Sequence, residues 1–284
     1  MDDNELQSEI HEHCTISQAN KPSKSRQIRE FLINSGRVFL AEFIGVAVIC
    51  FAIMIYNPST HGSVPIAAVV GVVFIWVVWV IGPISGAHVN PAVSFAMCLT
   101  RRIPIYLGII YCLGQFSGGI VGTWVATLMT NGTGVIGMTL PAPHLTDFKA
   151  TILEMIATAI LVIAVLSVSD EFRASSWCQG HVTMFPFAFG ATLAMLAAVF
   201  GPLTGGSMNP ARSLGPAIVL NQFNRQWIYV VGPCLGSVVA VLLYELLLSQ
   251  GATFPRIRAW FTDPNFDRKR EYKTEECMIQ QSKL

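Results

Sequence analysis

Charge is what this chain of 284 residues has least of: Lys, Arg, Asp and Glu make up 12% of it, 52% is hydrophobic, and mean hydropathy is +0.54. Soluble domains carry about 25% charged residues, so composition alone implies a membrane protein. Most of the charge lies before Leu40 or after Gln250. Between those points only Glu42, Glu154 and Arg212, with Glu245 at the margin, fall at expected bilayer depth. Charge there is costly and marks function or a buried structural pair. The net charge of +1 says nothing about nucleic acid, and no nucleic-acid partner is expected.

Cysteine pairing is missing as well. Cys14, Cys50, Cys98, Cys112, Cys178, Cys234 and Cys277 have neither paired nor metal-type spacing, so no disulfide framework and no metal site is expected. Neither a nucleotide-binding loop nor a catalytic triad occurs, so no cofactor is implied and no enzyme is expected. Residues 1–36 are polar, acidic first and then basic at Lys21, Lys24, Arg26 and Arg29, without the apolar core of a secretory signal. The first apolar span is then expected to act as the insertion signal.

Long apolar runs are what the chain does have. Six stretches, near 38–57, 65–83, 104–129, 150–168, 182–200 and 227–249, are long enough to span a bilayer at about 20 residues each. After the second and the fifth comes one tripeptide, Asn90-Pro91-Ala92 and again Asn209-Pro210-Ala211, each behind a run of small residues. Asn is a strong N-cap, and proline at the first helical position gives up only an N–H that has no partner there. Each copy therefore predicts a short helix, near 90–99 and 209–220, with its positive dipole end aimed at whatever lies ahead.

The halves repeat. Glu42 on the first span is echoed by Glu154 on the fourth, and Gly114, Gly118 and Gly122 on the third by Gly232 and Gly236 on the sixth. Small residues at such spacing let helix backbones approach closely in lipid. Three spans per half require the second copy to be inverted, so the two short helices should enter from opposite faces and meet. The expected fold is an all-α membrane protein of six transmembrane helices plus two re-entrant half-helices in an inverted three-span repeat. Its expected division is a tail over 1–36, a core over 37–250 with repeats 37–129 and 150–249, and a tail over 251–284. Glu42 and Glu154 read either as a proton or cation relay or as buried carboxylates that accept N–H donors from irregular re-entrant backbone, and symmetry favours the second.

Basic residues orient the chain. The first tail, Arg101, Arg102, Arg173 and the last tail fall on one side, against Lys149, Arg225 and Arg212 on the other, so both termini are expected to be cytoplasmic. Asn131-Gly132-Thr133 then forms an outside glycosylation acceptor.

Twin Asn-Pro-Ala boxes, a glutamate on spans one and four, Ser85-Gly86-Ala87-His88 before the first box and Arg212 after the second resemble the aquaporin (major intrinsic protein) family over about residues 37–250. The resemblance implies the aquaporin fold and a homotetramer in the plasma membrane, with one passive pore per subunit. In such a pore Asn90 and Asn209 present amide N–H groups to the solute, and two positive helix ends exclude cations and protons. It also implies an outer filter of Arg212, Val70, Ala197 and Gly206. Counted from the boxes, Val70 stands where water-selective relatives have phenylalanine and Ala197 where they have histidine. Gly206 stands where relatives often have a small residue or cysteine. The remaining filter is wider and more apolar, which suits glycerol, with urea on similar grounds. Ordinary aquaglyceroporins have aspartate after the second box's arginine, whereas Ser213 stands here, and the stretches 208–217 and 227–233 look like the water-channel branch. A water-channel frame without its filter histidine resembles the insect entomoglyceroporins.

Other readings stay open. Phe74 or Phe200 could refill the filter and make a strict water channel; a glutamate could couple transport to protons; the chain could be a structural junction protein. His88 is a packing residue or part of a gate, and His181 or Arg173-Ala174-Ser175-Ser176 could carry regulation. Ser282-Lys283-Leu284 matches a peroxisomal address for soluble cargo, or offers a C-terminal carboxylate and apolar last residue to a PDZ domain.

Overall fold

The computed structural model describes residues 23–56, 64–130, 137–170, 181–249 and 252–267, with the backbone alone at 181–183. The chain falls into two units, Met1–Arg37 and Val38–Leu284. The first supplies the start of helix α1 (Lys24–Ile55) and holds an exposed ion pair, Arg26–Glu30, at 2.9 Å.

After α1 come α2 (Ile66–Ser85), α3 (Pro91–Leu99), α4 (Ile105–Met129), α5 (Asp147–Val168), α6 (His181–Thr204), α7 (Pro210–Val219), α8 (Ile228–Leu243) with a π-helical turn at Tyr244–Leu248, and α9 (Phe254–Thr262). Six of these helices are long and apolar enough to cross a membrane, and no strand occurs among the described residues. α1 begins well before the expected start near residue 38, because 24–37 contain no proline and no glycine before Gly36. Nothing in that stretch breaks the helix, so it runs on N-terminal to the apolar span. α9 lies in what reads as tail.

The repeat is visible in the packing. α4 lies against α1 through its glycine stripe: a Cβ on Gly114 would sit 2.6 Å from the Phe39 carbonyl oxygen, and Gly118 and Gly122 meet the carbonyls of Phe43 and Ala47 in turn. α8 repeats the contact on α5, where Gly232 faces the Cβ of Glu154 at 2.8 Å and Gly236 faces the Met155 carbonyl. Both crossings hold a glutamate-bearing helix at backbone distance. The short helices α3 and α7 sit between these pairs; Ser237 of α8 donates to the Ala92 carbonyl at 2.8 Å.

Candidate functional site

The two Asn-Pro-Ala turns meet head to head. Each asparagine caps its own helix: Asn90 Oδ1 accepts from Ala92 N at 2.9 Å, and Asn209 Oδ1 from Ala211 N at 3.0 Å and Arg212 N at 3.2 Å. Each also donates across to the opposite turn, Asn90 Nδ2 to the Met208 carbonyl at 2.8 Å and Asn209 Nδ2 to the Val89 carbonyl at 2.7 Å. One N–H of each amide is thereby fixed, and the second has no protein partner among the described residues. Pro91 and Pro210 occupy the first helical positions, so neither ring forfeits a backbone bond.

Those turns need backbone that ordinary residues resist. Ala87 (φ 50), Val89 (φ 43) and Met208 (φ 54) lie in the left-handed region, at about 1–2 kcal/mol each for a side-chain-bearing residue. Glu42 and Glu154 hold them there. Glu42 accepts from Val89 N at 2.6 Å, His88 N at 3.0 Å, Ser85 Oγ at 2.6 Å and Gln115 Nε2 at 2.7 Å. Glu154 accepts from Met208 N at 2.7 Å, Ser207 N at 3.0 Å and Thr204 Oγ1 at 2.6 Å. Each buried charge is covered by several donors, and each fixes one re-entrant loop.

Next to the paired asparagines runs a cavity of about 620 Å³, solvent at its mouth included, which Val70, Ala197, Gly206, Arg212, Asn90 and Asn209 all line. The Arg212 guanidinium donates to the Gly137 carbonyl at 2.7 Å, so the 137–146 connection positions it. Gly206 takes φ +57, and a Cβ there would sit 3.2 Å from Gly201 N. Glycine satisfies both the turn and the close approach.

The family profile described as "Major intrinsic protein" matches residues 26–244. The chain belongs to the major intrinsic protein family. Among curated relatives the channel is 34% identical over 236 residues to probable aquaporin TIP2-2 of Oryza sativa subsp. japonica, covering 79% of this chain and 92% of that one. It is 39% identical over 178 residues to aquaporin-1 of Rhizophagus irregularis, spanning 62% of this chain and 60% of that one. Its fold is similar to the X-ray structure of the aquaglyceroporin from Plasmodium falciparum, with a TM-score of 0.67 at 24% identity, over 75% of this chain and 97% of that one. The chain is a membrane channel and not an enzyme.

The channel brings together the residues singled out by sequence, Val70, Ala197, Gly206, Arg212 and both asparagines. His88 is buried, its ring stacked on Tyr111 at 4.1 Å and its Nδ1 paired with Ser94 Oγ at 3.1 Å. Phe74 lines the cavity, whereas Phe200 packs in the core and is not among the lining residues. Asn131, Arg173-Ala174-Ser175-Ser176, the side chain of His181 and Ser282-Lys283-Leu284 lie outside the described residues. Sequence reasoning missed Gly137, whose carbonyl holds Arg212, and Phe189 and Leu193, which line the cavity.

Proposed function

We propose that this channel conducts water and small uncharged polyols, glycerol first and urea on similar grounds, down their own gradients. The observation that carries the reading is the lining of the cavity: Val70 and Ala197 contribute small apolar side chains to it, while Arg212, Asn90 and Asn209 supply donors. A polyol has the same division, carbon along one side and hydroxyls along the other. Arg212 donates to a solute oxygen and repels cations, and the amide N–H groups left by Asn90 and Asn209 orient each passing oxygen so that a water chain cannot relay protons. The matched relatives named as aquaporins support the water component of the reading.

The wider proposal is a homotetramer in the plasma membrane with both termini cytoplasmic, an orientation that the distribution of Lys and Arg between short loops supports. Asn131 would then be available for glycosylation outside, and Ser282-Lys283-Leu284 to a PDZ domain inside. The deciding experiment is glycerol flux beside water flux in proteoliposomes, for the wild type and Ala197→His. Glycerol passage that the histidine abolishes while water persists is the expected result. A wild type that carries water and no glycerol overturns the polyol reading.

A further inference from the structure

The outer ring leaves two aromatic side chains beneath it unexplained. Positions one turn apart on α2 are Val70, Phe74 and Val78, and on α6 they are Ala197, Leu193, Phe189 and Phe185. The two helices cross on glycine: a Cβ on Gly71 would lie 2.9 Å from the Gly190 carbonyl oxygen, and one on Gly190 would lie 2.6 Å from that of Gly71. That approach sets Phe74 against Phe189 with ring centroids 5.9 Å apart and planes tilted by 56°, and Phe185 continues the row at 5.6 Å. Phe74 and Phe189 are buried and line the same cavity as Val70, Ala197 and Arg212. Beyond them opens a second cavity, of about 1680 Å³ with its mouth included, lined by Val78, Phe185 and Met97. Phe189 and His88 line both cavities, so Phe189 stands where one gives way to the other, with Phe74 packed against it in the first.

We propose that the size limit of this channel lies at the Phe74–Phe189 pair, in the cavity that Asn90 and Asn209 also line, and not at the ring of Val70, Ala197, Gly206 and Arg212. The proposal rests on the polyol reading for its choice of solutes. Removing ring volume at the outer ring widens only the entrance. A solute then meets two tilted rings held in place by each other, by Phe185 and by a glycine crossing that fixes the distance between the helices. These rings are an apolar wall in the cavity into which both asparagines reach, so a slim solute slides with carbon on the rings and oxygen on the amides. Girth, not length, is what such a gap measures. Linear polyols should pass and branched ones should not.

The test uses full-length protein in proteoliposomes, with water, glycerol and the branched tetrol pentaerythritol as solutes. Wild type, Phe74→Val, Phe189→Val and Val70→Ala are compared, each normalised to its own water flux. The expected result is that the two phenylalanine variants raise pentaerythritol permeability about tenfold, on the scale of discrimination that a few carbons of apolar wall provide, while Val70→Ala leaves it at the wild-type level. A gain confined to Val70→Ala, or no gain in any variant, overturns the proposal. Phe74→Leu and Phe189→Leu replace any valine variant that loses water flux, with a smaller gain expected. A wild type closed to glycerol sinks the polyol reading alone: the aromatic limit then stands if Phe74→Val admits glycerol and falls if it does not.

Discussion

Buried carboxylates in a membrane channel invite a transport role, and the bonds of Glu42 argue against one. Its Oε2 accepts from both Val89 N and Gln115 Nε2, and its Oε1 from His88 N and Ser85 Oγ. In Glu42→Gln one of these oxygens becomes an NH₂ that faces donors. The expected cost is about 1–3 kcal/mol for leaving buried donors unsatisfied, read as a lower unfolding temperature in detergent. Solute uptake should not follow an imposed pH gradient in either protein; uptake driven by such a gradient would reinstate a proton-coupled role. Gly206 leads to a second expectation. None of Cys50, Cys98, Cys112 and Cys234 is among the residues that line the cavity, so mercurials should leave water flux intact. Gly206→Cys should confer block at a cost of roughly 1–3 kcal/mol, since a side chain at φ +57 is strained. Strong block of the wild type that disappears in Cys98→Ser would overturn this assignment.

At the scale of elements, α9 is an unexpected clamp. Arg256 of α9 reaches Glu245 in the π-helical turn at 3.1 Å, and Arg102, just after α3, reaches the same carboxylate at 3.8 Å; all three side chains are 3–4% exposed. Trp260 Nε1 donates to the Leu99 carbonyl at 3.2 Å, and Arg101 donates to the Asp263 carbonyl at 2.5 Å. α9 is therefore fastened to the foot of the first half-helix. Glu245→Ala would bury two guanidinium groups without their shared carboxylate, a loss of about 3–5 kcal/mol. Limited trypsin digestion of the reconstituted protein should then cut at Arg256 or Arg258 first. Cleavage no faster than in the wild type would mean that Trp260 and Arg101 suffice. The half-helices were legible because Asn-Pro is a local signal, and the glutamates because charge is so sparse. The clamp was not legible: its partners lie far apart in sequence, and a nine-residue helix containing Pro255, Arg256 and Arg258 reads as tail. Phe74 was singled out, but its neighbours Phe189 and Phe185 escaped for another reason. Where lipid and core are both apolar, spacing cannot separate Phe189, which is buried, from Phe187, which is 50% exposed.

The whole molecule places three positive features around one path. Inversion of the repeat brings the N-termini of α3 and α7 together, fastened by the crossed Asn90 and Asn209 bonds, and Arg212 lines the same cavity. Each helix end is equivalent to roughly half an elementary charge, so with the guanidinium a cation meets a sum of about two. At ~6 Å and an effective dielectric of ~20 this opposes entry by about 5 kcal/mol, half of it from Arg212. Water pays no such penalty, because its oxygen accepts from the same groups. Arg212→Val should therefore leave water flux near the wild-type value while raising sodium leak by about a hundredfold, the equivalent of the ~2.7 kcal/mol removed. Dye-loaded proteoliposomes under a sodium gradient would register the change. If the leak does not rise, the two helix ends exclude cations without the arginine, and its part in the pore reduces to the donors it offers a solute oxygen. If water flux collapses as well, the Gly137 contact was holding the mouth open, and Arg212 is first a brace and only then a filter.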